Sequence, residues 1–192
     1  MVLKLGILIS GRGSNMVNIV EACHQKKING QVEIIISNNE NSEGLKKVKK
    51  YKCNIKIIKP EKFKNKIKNE ENIDKLLKKS KVNLICLAGY TKILSKSFIK
   101  KWKSNIINIH PSLLPAFKGL NAQNQALNSG VKYSGCTIHE VNEELDGGKI
   151  LDQKAIKINK NENLASLKKK ILIEEHKLYI KVLEKLSKKG GT

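Results

Sequence analysis

Apolar residues along this chain follow two alternating patterns. Short continuous apolar runs are typical of buried strands, and stretches in which apolar residues recur every three or four positions are typical of amphipathic helices. The predicted strands are LKLGILIS, QVEIIISN, CNIKIIKP (ending at Pro60), VNLICLAGY, NIINIH, YSGCTIHEV and KILDQKAIKI. The predicted helices are SNMVNIVEACHQKK, SEGLKKVKKYK (capped by Ser42), NIDKLLKKS, SKSFIKKWK, AQNQALNSG and a long last helix from about Asn163 to Lys188.

This alternation predicts an α/β fold with a mostly parallel central sheet and helices on both of its faces. The chain has 192 residues without internal repeats or low-complexity linkers, so we expect a single domain over residues 1–192. Ligands of such sheets bind beyond the carboxyl ends of the strands. The turns that follow the predicted strands are therefore the places to search for a functional site.

The charge of the chain raises the question of nucleic-acid binding. The net charge is +21, but Arg12 is the only arginine and aromatic residues make up 4% of the sequence. Specific nucleic-acid binding usually relies on clustered arginines and stacking aromatics. We therefore favour a solvated lysine surface over a specific nucleic-acid site, although attraction of anionic substrates stays open.

The location of the protein is constrained by what the sequence lacks. No apolar stretch is long enough to span a bilayer, and the first residues are typical of a buried strand, not of a signal peptide. The cysteines are widely spaced, which argues against a zinc site and a disulfide framework: Cys23, Cys53, Cys86 and Cys136. We expect a cytoplasmic protein with reduced thiols, no metal and no membrane partner.

A glycine-containing turn, SGRGSN, joins the first strand to the first helix at Ser10–Asn15. Backbone N–H groups of such a turn and the helix dipole favour an anion. The third glycine of a dinucleotide fingerprint is replaced by Met16, and Asn38 and Asn39 stand where an acid is expected. The turn is thus typical of a site for a single phosphate, with a turn that binds no ligand as the alternative.

A second candidate site combines two segments, NIHPSLLPAFKG and ELDGG. Asn108 and His110 point to the same side of a strand end, and Pro111 keeps the backbone extended there. Asp146 precedes two glycines, and a carboxylate beside an imidazole orients the ring and favours its protonated form. The alternatives are a structural histidine and a simple turn.

The polar groups of this second site suggest an acyl transfer. Asn108 can donate a hydrogen bond to a developing oxyanion, and His110 can move a proton. The set contains neither a Cys or Ser nucleophile nor a metal-ligand cluster. This favours direct transfer between two bound substrates over a covalent intermediate or metal-dependent hydrolysis.

Four motifs in this order and spacing, LISGRGSN, LAGYTKILS, NIHPSLLPAFKG and ELDGG, resemble the phosphoribosylglycinamide formyltransferase family. The resemblance extends from Leu3 to the last helix. It implies a Rossmann-like formyltransferase fold, with a phosphate-binding N-terminal half and a C-terminal half that completes a folate site. It also implies transfer of a formyl group from 10-formyltetrahydrofolate to the amine of glycinamide ribonucleotide in purine biosynthesis, through a tetrahedral intermediate, by a monomer or homodimer.

The same resemblance implies individual roles. The catalytic trio is Asn108, His110 and Asp146, with His139 in support. The phosphate lies on Gly13, Ser14 and Asn15, and the ribose hydroxyls on Glu175. The folate contacts are Asn108, Thr91, Lys92, Ile93, Leu94, Asn142, Glu143, Glu144, Leu145 and Asp146. Lys66 stands where relatives often carry an arginine near the folate, Gln123 stands where they usually carry a histidine, and a cis Leu114–Pro115 peptide is expected.

Three other activities compete with this interpretation. Formyltetrahydrofolate deformylase normally has an additional N-terminal domain, and methionyl-tRNA formyltransferase has a further C-terminal domain. The chain begins at the first strand and ends after the last helix, so we expect neither. A non-enzymatic phosphate-binding module would keep GRGSN but would not need the trio.

Overall fold

A computed structural model describes residues 2–59 and 65–188. Its strands are β1 (Leu3–Ile9), β2 (Gly30–Ser37), β3 (Ile55–Ile57), β4 (Leu84–Leu87), β5 (Ile106–His110), β6 (Tyr133–Glu140) and β7 (Ile150–Lys157). Its helices are α1 (Ser14–His24), α2 (Glu43–Val48), α3 (Lys66–Lys79), α4 (Lys96–Lys101), α5 (Ala122–Asn128) and α6 (Leu164–Lys188), and a 3-10 turn over Lys49–Tyr51 follows α2. None of these helices is long and apolar enough to cross a membrane.

The strands form one sheet in the order β3-β2-β1-β4-β5-β6-β7. Neighbouring strands from β3 to β5 are parallel, whereas β6 is antiparallel to β5 and β7 is antiparallel to β6. This confirms the predicted mostly parallel sheet. The order reverses between β1 and β4, so the turns after these two strands border the same crevice.

Apolar side chains of β1 alternate between two cores. Leu5 and Ile7 pack on one face of the sheet with residues of α1 and α6, including Tyr179. Leu8 packs on the other face with residues of α3 and α4, including Leu77. Both faces of a parallel sheet are covered, so its strands carry apolar side chains on both sides. Such strands appear in the sequence as continuous apolar stretches. The prediction of helices on both faces is confirmed.

Two predicted details near β3 and α2 differ from the structure. β3 is shorter than the predicted Cys53–Pro60, because it is an edge strand that pairs only as far as the end of β2 at Ser37. The predicted end at Pro60 lies outside the described residues. Ser42 does precede α2, but its hydroxyl forms no capping hydrogen bond.

Helix α3 begins earlier than the predicted segment NIDKLLKKS. It starts at Lys66, because the side chain of Asn65 accepts a hydrogen bond of 2.9 Å from the Lys68 N–H and caps the first turn. The first turn exposes both polar residues and Ile67, which is 56% exposed. Periodicity alone therefore does not indicate this start.

Candidate active site

Asn108 and His110 occupy the carboxyl end of β5, and their side chains lie on the same side of the sheet. Asn108 is paired with Leu87 of β4 on one side and with His139 of β6 on the other. His110 is only 5% exposed. The strand pairing thus brings Asn108, His110 and His139 together at one edge of the sheet.

Asp146 reaches this edge from the loop between β6 and β7. Its Oδ2 atom accepts a hydrogen bond of 2.8 Å from the Gly119 N–H and lies 3.3 Å from His110 Nδ1. Its Oδ1 atom lies 3.7 Å from His139 Nε2. The three residues proposed as a trio therefore lie together in the structure.

The second glycine of ELDGG is explained by a close backbone approach. A Cβ atom added at Gly148 would lie 1.7 Å from the carbonyl oxygen of Glu140. Any side chain at this position would push the loop away from β6. The glycine therefore permits the return of the chain that places Asp146 beside the histidines.

The other ring nitrogen of His110 contacts the following loop. His110 Nε2 donates a hydrogen bond of 2.8 Å to the carbonyl oxygen of Phe117. Both ring nitrogens face oxygen acceptors, so both interactions are hydrogen bonds when the ring carries two protons. The loop contains the expected cis Leu114–Pro115 peptide.

His139 orients the amide of Asn108. Burial lowers the pKa of His139, although the carbonyl of Glu140 and the charge of Asp146 oppose this shift. The neutral ring donates from Nδ1 to the Glu140 carbonyl oxygen at 2.9 Å, so Nε2 accepts from Asn108 Nδ2 at 3.2 Å. One N–H of the amide is thereby held, and the other remains for a ligand.

Two residues that the sequence analysis did not single out hold the loop after β5. Thr137 Oγ1 donates to the Ser112 carbonyl oxygen at 2.7 Å and accepts from the Leu114 N–H at 3.1 Å. Gln153 Nε2 donates to both Thr137 Oγ1 and the Leu114 carbonyl oxygen at 2.9 Å. The only available signal was the position of Thr137 on β6, opposite His110.

The turn after β1 presents free helix N–H groups. Gly13 is the N-cap of α1, with φ of 74°, and no side chain caps this helix. The first N–H groups of an α-helix have no partner within the helix. Together with the helix dipole, the N–H groups at Ser14 and Asn15 can therefore bind an anion.

The side chain of Asn15 connects this turn to α6. Asn15 Nδ2 donates a hydrogen bond of 2.8 Å to Glu175 Oε2, and the two residues are 7% and 8% exposed. Burial raises the pKa of Glu175, while the hydrogen bond from Asn15 opposes the shift. The buried carboxylate keeps its second oxygen for a hydroxyl donor.

Two segments with exposed apolar residues lie in the loops after β4 and β6. The first, Thr91–Leu94, lies between β4 and α4; we call it the pterin segment, after the role that the resemblance implies for it. The second, Asn142–Asp146, precedes β7; we call it the folate loop, for the same reason. Ile93 and Leu145 are 68% and 55% exposed, whereas Leu94 is buried.

Hydrogen bonds and charges fix both segments. The Thr91 N–H donates to Ser10 Oγ at 3.0 Å, and the Glu144 N–H donates to Asn142 Oδ1 at 3.0 Å. Glu143 lies within 4 Å of two lysines of α4, at 3.5 Å from Lys96 Nζ and 3.7 Å from Lys100 Nζ. The first segment is therefore connected to the turn after β1, and the second is connected to α4.

The two departures from the family pattern lie in helices, at the start of α3 and in α5. Lys66 is half-exposed at the start of α3, and its Nζ atom lies 4.0 Å from Oε1 of the buried Glu70. Gln123 lies in α5 and forms no side-chain hydrogen bond within the described part of the chain. Its neighbour Gln125 instead donates to the Leu120 carbonyl oxygen at 2.8 Å. Residues 2–59 and 65–188 contain no cluster of three or more His, Cys, Asp and Glu arranged to hold a metal ion.

Comparisons with known proteins agree with this geometry. The sequence model of the formyl transferase family matches residues 3–183. Phosphoribosylglycinamide formyltransferase of Haemophilus influenzae is 35% identical over 181 residues, which cover 94% of this chain and 85% of that protein. The human trifunctional purine biosynthetic protein adenosine-3 is 36% identical over 181 residues, which cover 94% of this chain but only 18% of that protein. The chain thus spans less than a fifth of this trifunctional relative.

Solved structures give the same result. Glycinamide ribonucleotide transformylase 1 from Symbiobacterium toebii matches with a TM-score of 0.95 and 34% identity, covering 97% of this chain and 88% of that one. Phosphoribosylglycinamide formyltransferase from Anaplasma phagocytophilum matches with a TM-score of 0.90 and 39% identity, covering 98% of this chain and 89% of that one. The chain therefore belongs to the formyl transferase family, with the fold of the phosphoribosylglycinamide formyltransferases that its sequence resembles.

Proposed function

We propose that this chain transfers the formyl group of 10-formyltetrahydrofolate to the amine of glycinamide ribonucleotide, a step of purine biosynthesis. The observation that carries the proposal is the meeting of Asn108, His110 and Asp146 at the carboxyl end of β5, two strands along the sheet from β1, which leads into the turn at Gly13. The names of the relatives support the acceptor and the formyl transfer, and the folate donor follows from the family resemblance. The reaction is assigned to a single domain over residues 1–192, acting as a monomer or homodimer.

The trio supports direct attack of the amine on the formyl carbon. The formyl oxygen becomes an oxyanion that accepts a hydrogen bond from the unheld N–H of Asn108 and, once His110 Nε2 exchanges the Phe117 carbonyl for the substrate, from His110. The attacking nitrogen loses a proton, and the folate nitrogen leaves with one, so His110 acts as the acid–base group. Asp146 keeps the imidazole oriented through the contact of its Oδ2 atom with His110 Nδ1.

The substrates take the two sides of the trio. The phosphate of glycinamide ribonucleotide binds to the N–H groups at Gly13, Ser14 and Asn15, and its ribose hydroxyls donate to Glu175. The pterin ring binds to backbone groups of the pterin segment, and the folate also packs on the exposed apolar residues of this segment and of the folate loop. Lys66 supplies a positive charge near the folate, although without the fork of an arginine.

The state of the cysteines supports a cytoplasmic location. All four cysteines lie within the described residues as free thiols. Thiols persist in reducing compartments, which supports the cytoplasm.

One assay tests the activity against its alternatives. The protein is incubated with 10-formyltetrahydrofolate alone, with glycinamide ribonucleotide, and with initiator methionyl-tRNA, and release of tetrahydrofolate is followed. We expect release only with glycinamide ribonucleotide and its loss in His110→Ala. Equal release without an acceptor would indicate a deformylase, and formylation of the tRNA would indicate the tRNA enzyme.

A further inference from the structure

The pterin segment is anchored at both ends by side chains from other parts of the fold. At its start, the Thr91 N–H donates to Ser10 Oγ at 3.0 Å. At its end, the next residue, Ser95, donates its N–H to Glu70 Oε1 at 2.8 Å and its hydroxyl to Glu70 Oε2. One carboxylate thus holds two donors of the residue that adjoins the segment.

Glu70 reaches this position from α3 and is nearly inaccessible to solvent. It is 5% exposed, and Lys66 Nζ lies 4.0 Å from its Oε1 atom. A buried carboxylate needs hydrogen bonds to compensate for lost hydration, and here Ser95 supplies them. Burial and then the charge of Glu70 raise the pKa of Tyr90 to about 12, so the carboxylate also lies near the residue before the segment.

The segment has little means of fixing itself. Thr91, Lys92 and Ile93 are exposed, and only Leu94 is buried. If the segment binds the pterin through backbone groups, as proposed above, the position of those groups must come from its anchors. A shift of Ser95 would move the backbone that binds the donor.

We propose that Glu70 is a positioning residue for the formyl donor, and that it fixes the backbone of Thr91–Leu94 through its paired hydrogen bonds to Ser95. The inference rests on the proposed folate-binding role of this segment. Glu70 has no role in binding glycinamide ribonucleotide. Loss of Glu70 therefore weakens binding of the formyl donor more than binding of glycinamide ribonucleotide.

The structure offers a control for a purely structural role. Asp74, one turn further along α3, is 6% exposed and accepts a hydrogen bond of 2.9 Å from Trp102 Nε1, at the end of α4. Glu70 and Asp74 therefore both join α3 to α4, but only Glu70 holds the end beside the pterin segment. Asp74→Asn and Glu70→Ala both loosen this helix contact.

The experiment measures binding of a non-reactive folate analogue and of glycinamide ribonucleotide by calorimetry, with Tm and steady-state kinetics, in Glu70→Ala, Glu70→Gln and Asp74→Asn. We expect Glu70→Ala to weaken binding of the folate analogue by about 10- to 100-fold and to raise KM for the formyl donor. The affinity for glycinamide ribonucleotide should be unchanged. Glu70→Gln keeps an acceptor for the Ser95 N–H and recovers part of the loss. Asp74→Asn lowers Tm but leaves analogue affinity within about twofold.

Several results would overturn the proposal. These are unchanged analogue affinity in Glu70→Ala, equal loss of both ligands, or equal loss of the analogue in Asp74→Asn. If Glu70→Ala does not fold, two milder variants must show the same preference for the folate side: Glu70→Gln, which loses one acceptor for Ser95, and Ser95→Ala, which also loses the hydroxyl that accepts from the Phe98 N–H at the start of α4. Failure of the proposed function is distinguishable, because the unaltered protein would then not formylate glycinamide ribonucleotide, whether or not it binds the analogue.

Discussion

At the scale of single residues, His110 lies between two hydrogen-bond acceptors of different kinds, a backbone carbonyl and a carboxylate. Phe117 contributes a backbone carbonyl, which no substitution of its side chain removes. Asp146 contributes a carboxylate that also accepts the Gly119 N–H, so it both orients the ring and shapes the loop. Removing only its charge therefore isolates the electrostatic contribution.

The first prediction is that Asp146→Asn lowers turnover far more than binding. The amide keeps the size and an acceptor for Gly119 but loses the anion beside His110. We expect turnover to fall by on the order of 10²–10⁴, the usual contribution of acid–base catalysis. Glycinamide ribonucleotide affinity should stay within a few-fold, because the phosphate is held by the turn at Gly13. Steady-state kinetics with calorimetry for each ligand provide the check, and near-normal turnover would exclude Asp146 from the trio.

The second prediction concerns the buried carboxyl of Glu175. Its pKa in the folded protein is raised by burial, so the group lowers stability as pH rises from its unfolded value towards its folded value. Below the unfolded value both states are protonated and the penalty is absent. Glu175→Gln should therefore be more stable than the parent at neutral pH, with the difference vanishing near pH ~4.

The same substitution should weaken substrate binding. The ribose hydroxyls lose a charged acceptor, which is worth roughly 1.5–3 kcal/mol, or roughly 10- to 150-fold in affinity. Thermal unfolding across pH, together with calorimetry, measures both effects, and each kcal/mol corresponds to about 2–4 °C in Tm for a chain of this size. A lower Tm at neutral pH would show that Glu175 stabilises the fold instead.

At the scale of elements, the turn between β1 and α1 carries the phosphate proposal. Gly13 has φ of 74°, a conformation that β-branched residues rarely adopt, and an added Cβ would lie 3.1 Å from Met16 Cε and 3.2 Å from Ser42 Oγ. The turn and the helix start therefore depend on this glycine. A change here should act on one ligand only.

The third prediction is that Gly13→Val greatly weakens binding of glycinamide ribonucleotide and hardly changes that of a folate analogue. The left-handed conformation alone costs a non-glycine residue about 1–2 kcal/mol, and the side chain also displaces the N–H groups from the phosphate. Calorimetry with both ligands is the measurement. Equal loss of both would indicate misfolding, whereas retained nucleotide affinity would place the phosphate elsewhere.

Elements were also the level at which sequence patterns were most informative. Continuous apolar runs predicted the strands because both faces of a parallel sheet are covered. The end of one strand contained His110, and the turns after two others contained Gly13 and Asp146. The early start of α3 was missed, because its first turn has a polar cap and no apolar periodicity. Thr137 and Glu70 were missed for another reason: their contacts join residues distant in sequence, which no local pattern encodes.

At the scale of the whole molecule, the main feature is the large positive net charge and its distribution between the surface and the site. The net charge is +21, and the lysines that form ion pairs with Glu143, Glu174 and Asp152 are largely exposed. The site itself contains the buried acids Asp146 and Glu175. Attraction of an anionic substrate must therefore come from the surrounding surface and the helix N-terminus, not from a lysine inside the trio.

The fourth prediction follows from this distribution. Positive surface charge raises the encounter rate with a phosphate-bearing substrate, and salt screens it over a Debye length of about 10 Å at 0.1 M. We expect kcat/KM for glycinamide ribonucleotide to fall several-fold between roughly 0.02 M and 0.2 M salt, while kcat changes little. The matched control is the acceptor without its phosphate, whose kcat/KM should depend only weakly on salt. Equal salt dependence for both acceptors would mean that the lysine surface takes no part in substrate capture.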